Sequence, residues 1–236
     1  MQRYFVDLET GLLSQDDIFH ITKVMRFKVG DTFELVAKNA VFVMKIEEIN
    51  PLRYVEVSSR PLKEDDYNIT LLYCLPKGDK LELVIQKATE LGVNEIIGLI
   101  SSRTIVRLDN KDRAKKLIRY KKILKEASEQ CHRDTIPCFD GIYDYKELNK
   151  FKFDYMFIAD EDESGNTSSF YNQILEIKKG SSIAILVGAE GGFSREEVDF
   201  ACSLGYKKVS LGKRILRSET AAIASLSILS FILERD

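Results

Sequence analysis

The sequence has few of the residues that build metal sites and secreted, disulfide-bonded domains. Its 236 residues include four cysteines, two histidines and no tryptophan. The cysteines form no C-x-x-C pair, so we expect neither a zinc site nor any other bound metal. Unpatterned cysteines in a chain of this size are typical of the reducing cytosol. We therefore expect a cytoplasmic protein.

Long hydrophobic segments are also missing. The longest uncharged stretch, Ala221 to Leu233, has thirteen residues with three serines, whereas a membrane-spanning helix needs about 20 apolar residues. We interpret it as a buried helix. Residues 1–10 mix three charges with apolar residues and lack the apolar centre of a secretory signal. We expect no membrane partner.

Two common nucleotide-binding patterns, G-x-G-x-x-G and G-x-x-x-x-G-K-[ST], do not occur. The net charge of −2 gives no global reason to expect a polyanionic partner. Any argument for a nucleic acid must therefore rest on local charge.

The hydrophobic pattern, with 44% apolar residues, predicts two domains. Three short runs rich in Val, Ile, Phe and Tyr lie between Phe33 and Ser59, with turn residues near Asn39 and Asn50-Pro51, and predict a small β module. A charged linker follows at 60–68. From residue 69 onward, strand patterns alternate with helix patterns, which is typical of a largely parallel sheet covered by helices on both faces. We place the domains at 1–68 and 69–236.

The stretch "AILVGAEGGFSREEV", from Ala184 to Val198, predicts a buried strand, a glycine turn and a helix. Ser194 can cap that helix, with Glu197 completing a capping box. Such turns lie at the carboxyl edge of a parallel sheet, where open α/β folds bind ligands. Glu190 among the glycines disfavours phosphate and favours a cationic or phosphate-free ligand. The alternative is a tight turn without a ligand.

A second stretch, "VSLGKRILRSETAAIASL", repeats the pattern from Val209 to Leu226. Ser218 could cap its helix. We expect the two turns to lie side by side, with Arg217 and Glu219 at the mouth of the second helix. Alternatively, these charges only complement helix ends. The acidic run from Ala159 to Ser164 is interpreted as a solvated loop, with a metal site as the less favoured alternative.

Together, "LVGAEGGFSREE" and "LGKRILRSETA" closely resemble the two cofactor loops of the SPOUT class of knotted methyltransferases. Within that class they resemble the family that methylates N3 of a uridine in small-subunit (16S) ribosomal RNA. Three further segments extend the resemblance over essentially the whole chain: "HITKVMRFKVGD", "KGDKLELVIQKATELGV" and "EQCHR".

The resemblance implies an N-terminal PUA-like β-barrel, a C-terminal trefoil knot, a homodimer and S-adenosylmethionine (AdoMet) as methyl donor, with a substrate near the decoding region of the assembled small subunit. The implied cofactor-binding residues lie in the two loops: Val187, Gly188, Gly191 and Gly192 in the first, and Leu211, Gly212, Ile215, Leu216 and Thr220 in the second.

Three residues depart from the family pattern. Most relatives have proline at the positions of Ala189 and Lys213, and glycine is commoner at the position of His132. Because proline restricts φ, both loops are expected to be less preorganised here. No charged residue of the expected site is lost.

Methylation of uracil N3 requires loss of the imide proton, and negative charge then spreads to the carbonyl oxygens. A fixed cation near them stabilises the transition state more than the ground state. We assign that role to Arg217. Glu190 could accept the proton or orient the base, or it could act only as a structural cap of the glycine loop. The sequence leaves these alternatives open.

RNA contacts are expected from local basic residues. The helical pattern from Lys111 to Lys125 has eight basic residues and one acid, and such a stripe can neutralise phosphates. A solvated helix face is the alternative. Arg107 also precedes this helix. The candidate RNA-binding residues are Arg26, Arg103, Lys111, Lys115, Arg119 and Arg133.

Two other functions remain open. The chain could be a non-catalytic RNA-binding assembly factor that retains the knot, or a knotted methyltransferase that acts on another RNA atom.

Overall fold

The computed structural model describes residues 1–7, 10–37, 39–63, 65–104, 110–161 and 167–234, and it omits the side chains of 110, 111 and 167–169. The chain forms two units. One contains residues 1–64 together with 128–135, and the other contains residues 65–127 together with 136–236. The sequence prediction had placed 128–135 with the second unit and the boundary four residues later.

The first unit is built around a four-stranded mixed sheet in the order β1-β2-β3-β4, in which β1 and β2 are parallel and the other neighbours antiparallel. Its elements are β1 (Arg3–Phe5), α1 (Gln15–Phe19), a π-helical turn (His20–Val24), β2 (Thr32–Val36), β3 (Ala40–Ile49) and β4 (Leu52–Pro61). The three predicted strands are confirmed as β2, β3 and β4. The sequence analysis missed β1 and α1, which are too short for a clear hydrophobic period.

The core of the first unit is mainly apolar. Its fully buried members include Tyr4, Ile21, Phe33 and Ile46. Phe33 lies between two aromatic neighbours, with edge-on ring contacts to Tyr4 and Tyr54. These residues come from three strands of the sheet, β1, β2 and β3, and from the helical turn. The unit therefore has a core of its own.

The second unit contains a six-stranded, all-parallel sheet in the order β10-β8-β9-β5-β6-β7. Its strands are β5 (Asn68–Cys74), β6 (Glu95–Ile100), β7 (Cys138–Asp144), β8 (Tyr155–Ala159), β9 (Ser182–Val187) and β10 (Lys207–Val209). Its helices are α2 (Lys80–Glu90), α3 (Asn110–Gln130), a 3₁₀ helix (Tyr145–Lys150), α4 (Thr167–Leu175), α5 (Arg195–Ser203) and α6 (Ser218–Leu233).

Alternating residues of the strands belong to two different buried apolar clusters, one on each face of the sheet. In β5, Leu71 and Tyr73 belong to the cluster that contains residues of α2, α3, α4 and α6, whereas Leu72 and Cys74 belong to the cluster with α5 and the 3₁₀ helix. Because successive side chains of a strand point to opposite faces, both faces are covered by helices. The predicted α/β class is confirmed.

Local signals explain most element boundaries. In α2 the apolar residues recur at helical spacing, and the helix ends before Gly92, whose φ of 86° suits glycine at a helix terminus. Ser194 caps α5 in the predicted capping box with Glu197. The sequence analysis missed β7, an edge strand with only one fully buried residue, because it has no continuous apolar run.

No helix in the described part of the chain is long and apolar enough to cross a membrane.

Candidate functional site: a pocket at the carboxyl edge of the parallel sheet

A pocket of about 800 Å³, including its opening to solvent, lies where β8, β9 and β10 end. Its lining comes from the last residue of each strand and the segment that follows it: Ala159, Asp160 and Glu161 for β8; Val187, Gly188, Ala189, Glu190, Gly192 and Phe193 for β9; and Val209, Ser210, Leu211, Gly212, Arg214, Ile215, Leu216, Ser218 and Ala221 for β10. This is the edge at which open α/β sheets bind ligands.

The strand order corrects one expectation. The two glycine turns do not follow neighbouring strands, because β8 lies between β9 and β10. The segment after β8 therefore enters the pocket between the two turns. Chain order alone did not reveal this, since the order of strands in a sheet depends on how the connections cross.

The first glycine turn closes tightly on itself. The Gly192 N–H donates to the Ala189 carbonyl at 2.9 Å, and Gly192 has a φ of 64°. A Cβ added to Gly188 would lie 3.2 Å from the Gly192 backbone and 3.3 Å from the Phe193 ring. Glycine at these positions therefore allows both a left-handed residue and a close approach of two backbone segments.

The second turn is joined to the first by Ser218. Its hydroxyl is buried, lies 2.9 Å from the Tyr73 hydroxyl and hydrogen-bonds the Gly188 carbonyl. A carbonyl can only accept, so Ser218 donates to Gly188 and accepts from Tyr73. Burial raises the pKa of the Tyr73 phenol well above its usual range, which keeps it protonated as a donor. The expected cap by Ser218 is wrong: Arg217 is the N-cap residue of α6.

We expect Ser218→Ala to destabilise the protein by about 2 kcal/mol and to weaken ligand binding in the pocket, because it leaves the Tyr73 hydroxyl and the Gly188 carbonyl without their partner. Thermal unfolding followed by circular dichroism measures the first effect. Tyr73→Phe is the matched variant, since it removes the donor but keeps the Ser218–Gly188 bond. A cost for Ser218→Ala no larger than that for Tyr73→Phe would contradict the proposed bridge.

Glu190 lies in the first turn and is partly exposed. Its carboxylate accepts from the Lys77 backbone N–H at 3.1 Å and pairs with the Lys80 ammonium at 3.1 Å. Partial burial alone would raise the pKa of the Glu190 carboxyl. Hydrogen bonds from its own N–H, from Lys80 and from Lys77, together with the Lys80 charge, outweigh that effect and lower the pKa. Glu190 is therefore ionised at neutral pH.

The acidic run after β8 supplies two pocket residues that the sequence analysis had interpreted as solvated. Asp160 is buried and pairs with Arg195 at 3.2 Å, whereas Glu161 is exposed and lies beside Gly192. No group of three potential metal ligands occurs among the residues that the structure describes. Residues 162–164 of the run lie outside that part of the chain. Asp160 and Glu161 come directly after a predicted strand, and this position was the signal that could have identified them as pocket residues.

Most predicted cofactor residues line the pocket, and two do not. The lining includes Val187, Gly188, Gly192, Leu211, Gly212, Ile215 and Leu216. Gly191 instead packs against the Arg103 side chain, and its carbonyl accepts a hydrogen bond from that guanidinium. Thr220 is exposed in the first turn of α6.

The predicted RNA-binding residues are distributed over both units. Arg26, Lys115 and Arg119 are exposed, and Arg133 is partly exposed. Arg119 pairs with Glu82 at 3.1 Å, which neutralises part of the basic stripe. Arg103, predicted as an RNA contact, donates a hydrogen bond to the first glycine turn at the Gly191 carbonyl. The Lys111 side chain and Arg107 lie outside the described residues.

A parallel sheet with glycine turns around one pocket at its carboxyl edge defines a ligand-binding α/β domain of the cofactor-dependent enzyme type. Residues 63–230 match the RNA methyltransferase domain family. Across 98% of its length the chain is 34% identical to ribosomal RNA small subunit methyltransferase E of Bacillus subtilis, of which it covers 96%.

Two solved structures are also similar. One is the Neisseria gonorrhoeae ribosomal RNA small subunit methyltransferase E bound to S-adenosylmethionine, with a TM-score of 0.80, 27% identity and 98% of each chain covered. The other is a Legionella pneumophila protein with the same bound cofactor, with a TM-score of 0.82, 32% identity, and 93% and 90% of the two chains covered. The chain belongs to the ribosomal RNA small subunit methyltransferase E family.

Proposed function

We propose that this protein transfers a methyl group from AdoMet to N3 of a uridine in the decoding region of 16S ribosomal RNA, on the assembled small subunit in the cytoplasm. The observation that carries the proposal is the pocket between the two glycine turns. It lies between the two loops that resemble the family's cofactor loops, and its lining carries acidic side chains that suit a cationic cofactor.

The pocket residues fit AdoMet. Three carboxylates line it, those of Asp160, Glu161 and Glu190, against one guanidinium, that of Arg214, while Arg195 and Lys80 pair with two of these carboxylates from outside the lining. Such a lining disfavours a polyphosphate and favours the positively charged sulfonium and amino groups of AdoMet. The apolar lining residues Val187, Leu211 and Leu216 offer contacts to an adenine ring.

We assign the cofactor-holding role to backbone groups of both turns, including Gly191 and Thr220 at their margins. Gly192 lets the ligand approach the main chain closely, because it has no side chain, and Gly188 leaves room for the Gly192 backbone within the turn. The Ser218 bridge holds the first turn against the start of α6. The bound cofactor supplies an electrophilic methyl group.

In this proposal the chain's own residues handle the charge and the proton of the substrate. Arg217 stabilises the negative charge that develops on the uracil carbonyl oxygens when the N3 proton leaves. Glu190 accepts that proton or orients the base through its ionised carboxylate. If Glu190 only orients the base, the N3 proton leaves to solvent water.

We further propose a trefoil knot between β8 and α6, a PUA-like barrel in the first unit and a homodimer. The position of β8 between β9 and β10, with Ser218 bonded to Gly188, supports the knot. The separate core around a mixed sheet supports the barrel. The apolar helix α6 exposes most of the Phe231 side chain, and this exposed apolar surface supports a dimer contact.

RNA binding is assigned to the exposed basic residues of both units. Arg26 lies at the end of the helical turn of the first unit, and Lys115 lies on α3. Lys111, Arg119 and Arg133 extend this assignment. The Arg103 guanidinium is hydrogen-bonded to the first glycine turn, so in this proposal Arg103 contacts only RNA that lies beside that turn. Since paired RNA hides its base edges, N3 must come from an unpaired or flipped uridine.

The test is mass spectrometry of nucleosides from small subunits isolated without this protein and then incubated with it and labelled AdoMet. We expect labelled 3-methyluridine. A different labelled nucleoside would show that the enzyme modifies another RNA atom. Tight binding to the subunit without label, despite bound cofactor, would establish a non-catalytic assembly factor.

A further inference from the structure

A lysine that the sequence analysis did not consider joins the two carboxylates at the pocket mouth. Lys80 is the first residue of α2, and its ammonium lies 3.1 Å from Glu190 Oε1 and 3.5 Å from Glu219 Oε2. Glu190 belongs to the first glycine turn and Glu219 to the first turn of α6. One cation therefore contacts two of the three segments that form the pocket, the first glycine turn and the start of α6.

The surroundings make this cation hard to replace. Glu219 Oε2 is buried, and the side chain of Glu219 is only 15% exposed. Two carboxylates that share one site repel each other unless a cation lies between them. In the described part of the chain, the other groups that face the pair include the backbone N–H groups of Lys77 and Glu190, which donate to the Glu190 carboxylate, and the buried Tyr73 phenol.

We propose that Lys80 is a positioning residue for methyl transfer, which holds Glu190 and Glu219 in place beside the reacting base. The inference rests on the proposed function, because it assumes that Glu190 acts on the substrate. Lys80 does not touch the methyl group or the base. It acts through Glu190, which would otherwise turn into solvent, and through Glu219, which orients the start of α6 next to Arg217.

The experiment compares Lys80→Met, Lys80→Arg and Lys87→Met in single-turnover methyl transfer with saturating small subunits and AdoMet. Lys87 is the matched control: it lies on the same helix, is equally exposed at 37% against 36%, and pairs with a single carboxylate, Glu90, at 2.8 Å. We expect Lys80→Met to slow transfer by about 10- to 100-fold, the effect of misplacing a catalytic group. Lys80→Arg should recover most of the rate, and Lys87→Met should be unchanged.

Two further measurements separate positioning from folding. The pKa of the Glu190 carboxyl, followed by carbon-detected NMR in the free protein, should rise in Lys80→Met, because the neighbouring cation is lost. In a Glu190→Gln background, Lys80→Met should slow transfer much less than it does alone, because the residue through which it acts is already altered.

Equal rates for Lys80→Met and Lys87→Met would overturn the inference while leaving the proposed function intact. An unchanged Glu190 pKa, or a full additional loss in the Glu190→Gln background, would also overturn it. If the wild-type protein transfers no methyl group, it is the proposed function that fails. Thermal unfolding of each variant checks the fold, and Lys80→Arg keeps the test informative if Lys80→Met is unstable.

Discussion

Arg217→Ala is expected to reduce methyl transfer by about 100-fold or more, while AdoMet binds within a few-fold of its normal affinity. The negative charge on the uracil carbonyl oxygens develops only during the reaction. A cation beside them therefore stabilises the transition state and has little effect on the ground state. Arg217 is exposed at the N-cap of α6, and its side chain does not line the pocket. Truncating it should therefore leave the pocket intact.

Single-turnover transfer and calorimetric AdoMet titration together check this expectation. Lys213→Ala is the matched control, because Lys213 is an exposed cation of the same loop and does not line the pocket. A general loss of positive charge near the RNA would affect both variants equally. Parallel losses of cofactor affinity and rate in Arg217→Ala would instead assign Arg217 to cofactor binding.

Asp134→Ala is expected to destabilise the first unit by about 3–5 kcal/mol, the usual cost of removing one partner from a buried ionic cluster. Asp134 is buried and binds both Arg3 and Arg60, at 2.8 and 2.6 Å, and it accepts from the Lys63 backbone N–H at 2.8 Å. Arg3 is 3% exposed, so its charge would lose a partner in a buried site.

Hydrogen exchange of peptides from residues 1–64, with thermal unfolding, measures this effect. Asp66→Ala is the control, because Asp66 forms an exposed ion pair with Lys179, and such pairs contribute at most about 1 kcal/mol. Similar losses of stability for the two variants would contradict the role of Asp134.

The same cluster predicts the sign of an acid effect. Burial alone would raise the pKa of Asp134, but the hydrogen bonds and charges of its partners lower it from 3.8 to about 2. A lowered pKa means that the folded state binds its proton less tightly than the unfolded state. The contribution, roughly 2 kcal/mol, is fully present above pH 3.8 and is lost as pH falls to about 2. Asp134→Ala should lack this part of the acid transition.

The structure also accounts for one departure from the family pattern. His132, where the resemblance implies that glycine is commoner, has a φ of 60°, a conformation that glycine adopts without strain. His132 lies 3.2 Å from Glu34 through its ring Nδ1, a contact that glycine could not make. The contact offsets part of the strain, since left-handed residues other than glycine cost roughly 1 kcal/mol or more.

Much of the second unit could be predicted from local signals. The alternating strand and helix patterns identified the α/β class, and Ser194 with Glu197 identified the start of α5. The glycines located both turns of the pocket. These features depend on side chains close in sequence, and periodicity and capping act over a few residues.

What required the tertiary structure was every contact between segments distant in sequence. Lys80 pairs with Glu190, 110 positions away in the sequence. Ser218 does not cap α6 as expected, and its hydroxyl instead hydrogen-bonds Tyr73 and Gly188. Asp160 enters the pocket because β8 lies between β9 and β10. By itself the sequence determined which residue types stand at strand ends and helix starts. The strand order and the buried hydrogen bonds decided which of them meet, because packing selects partners by distance in space and not by spacing along the chain.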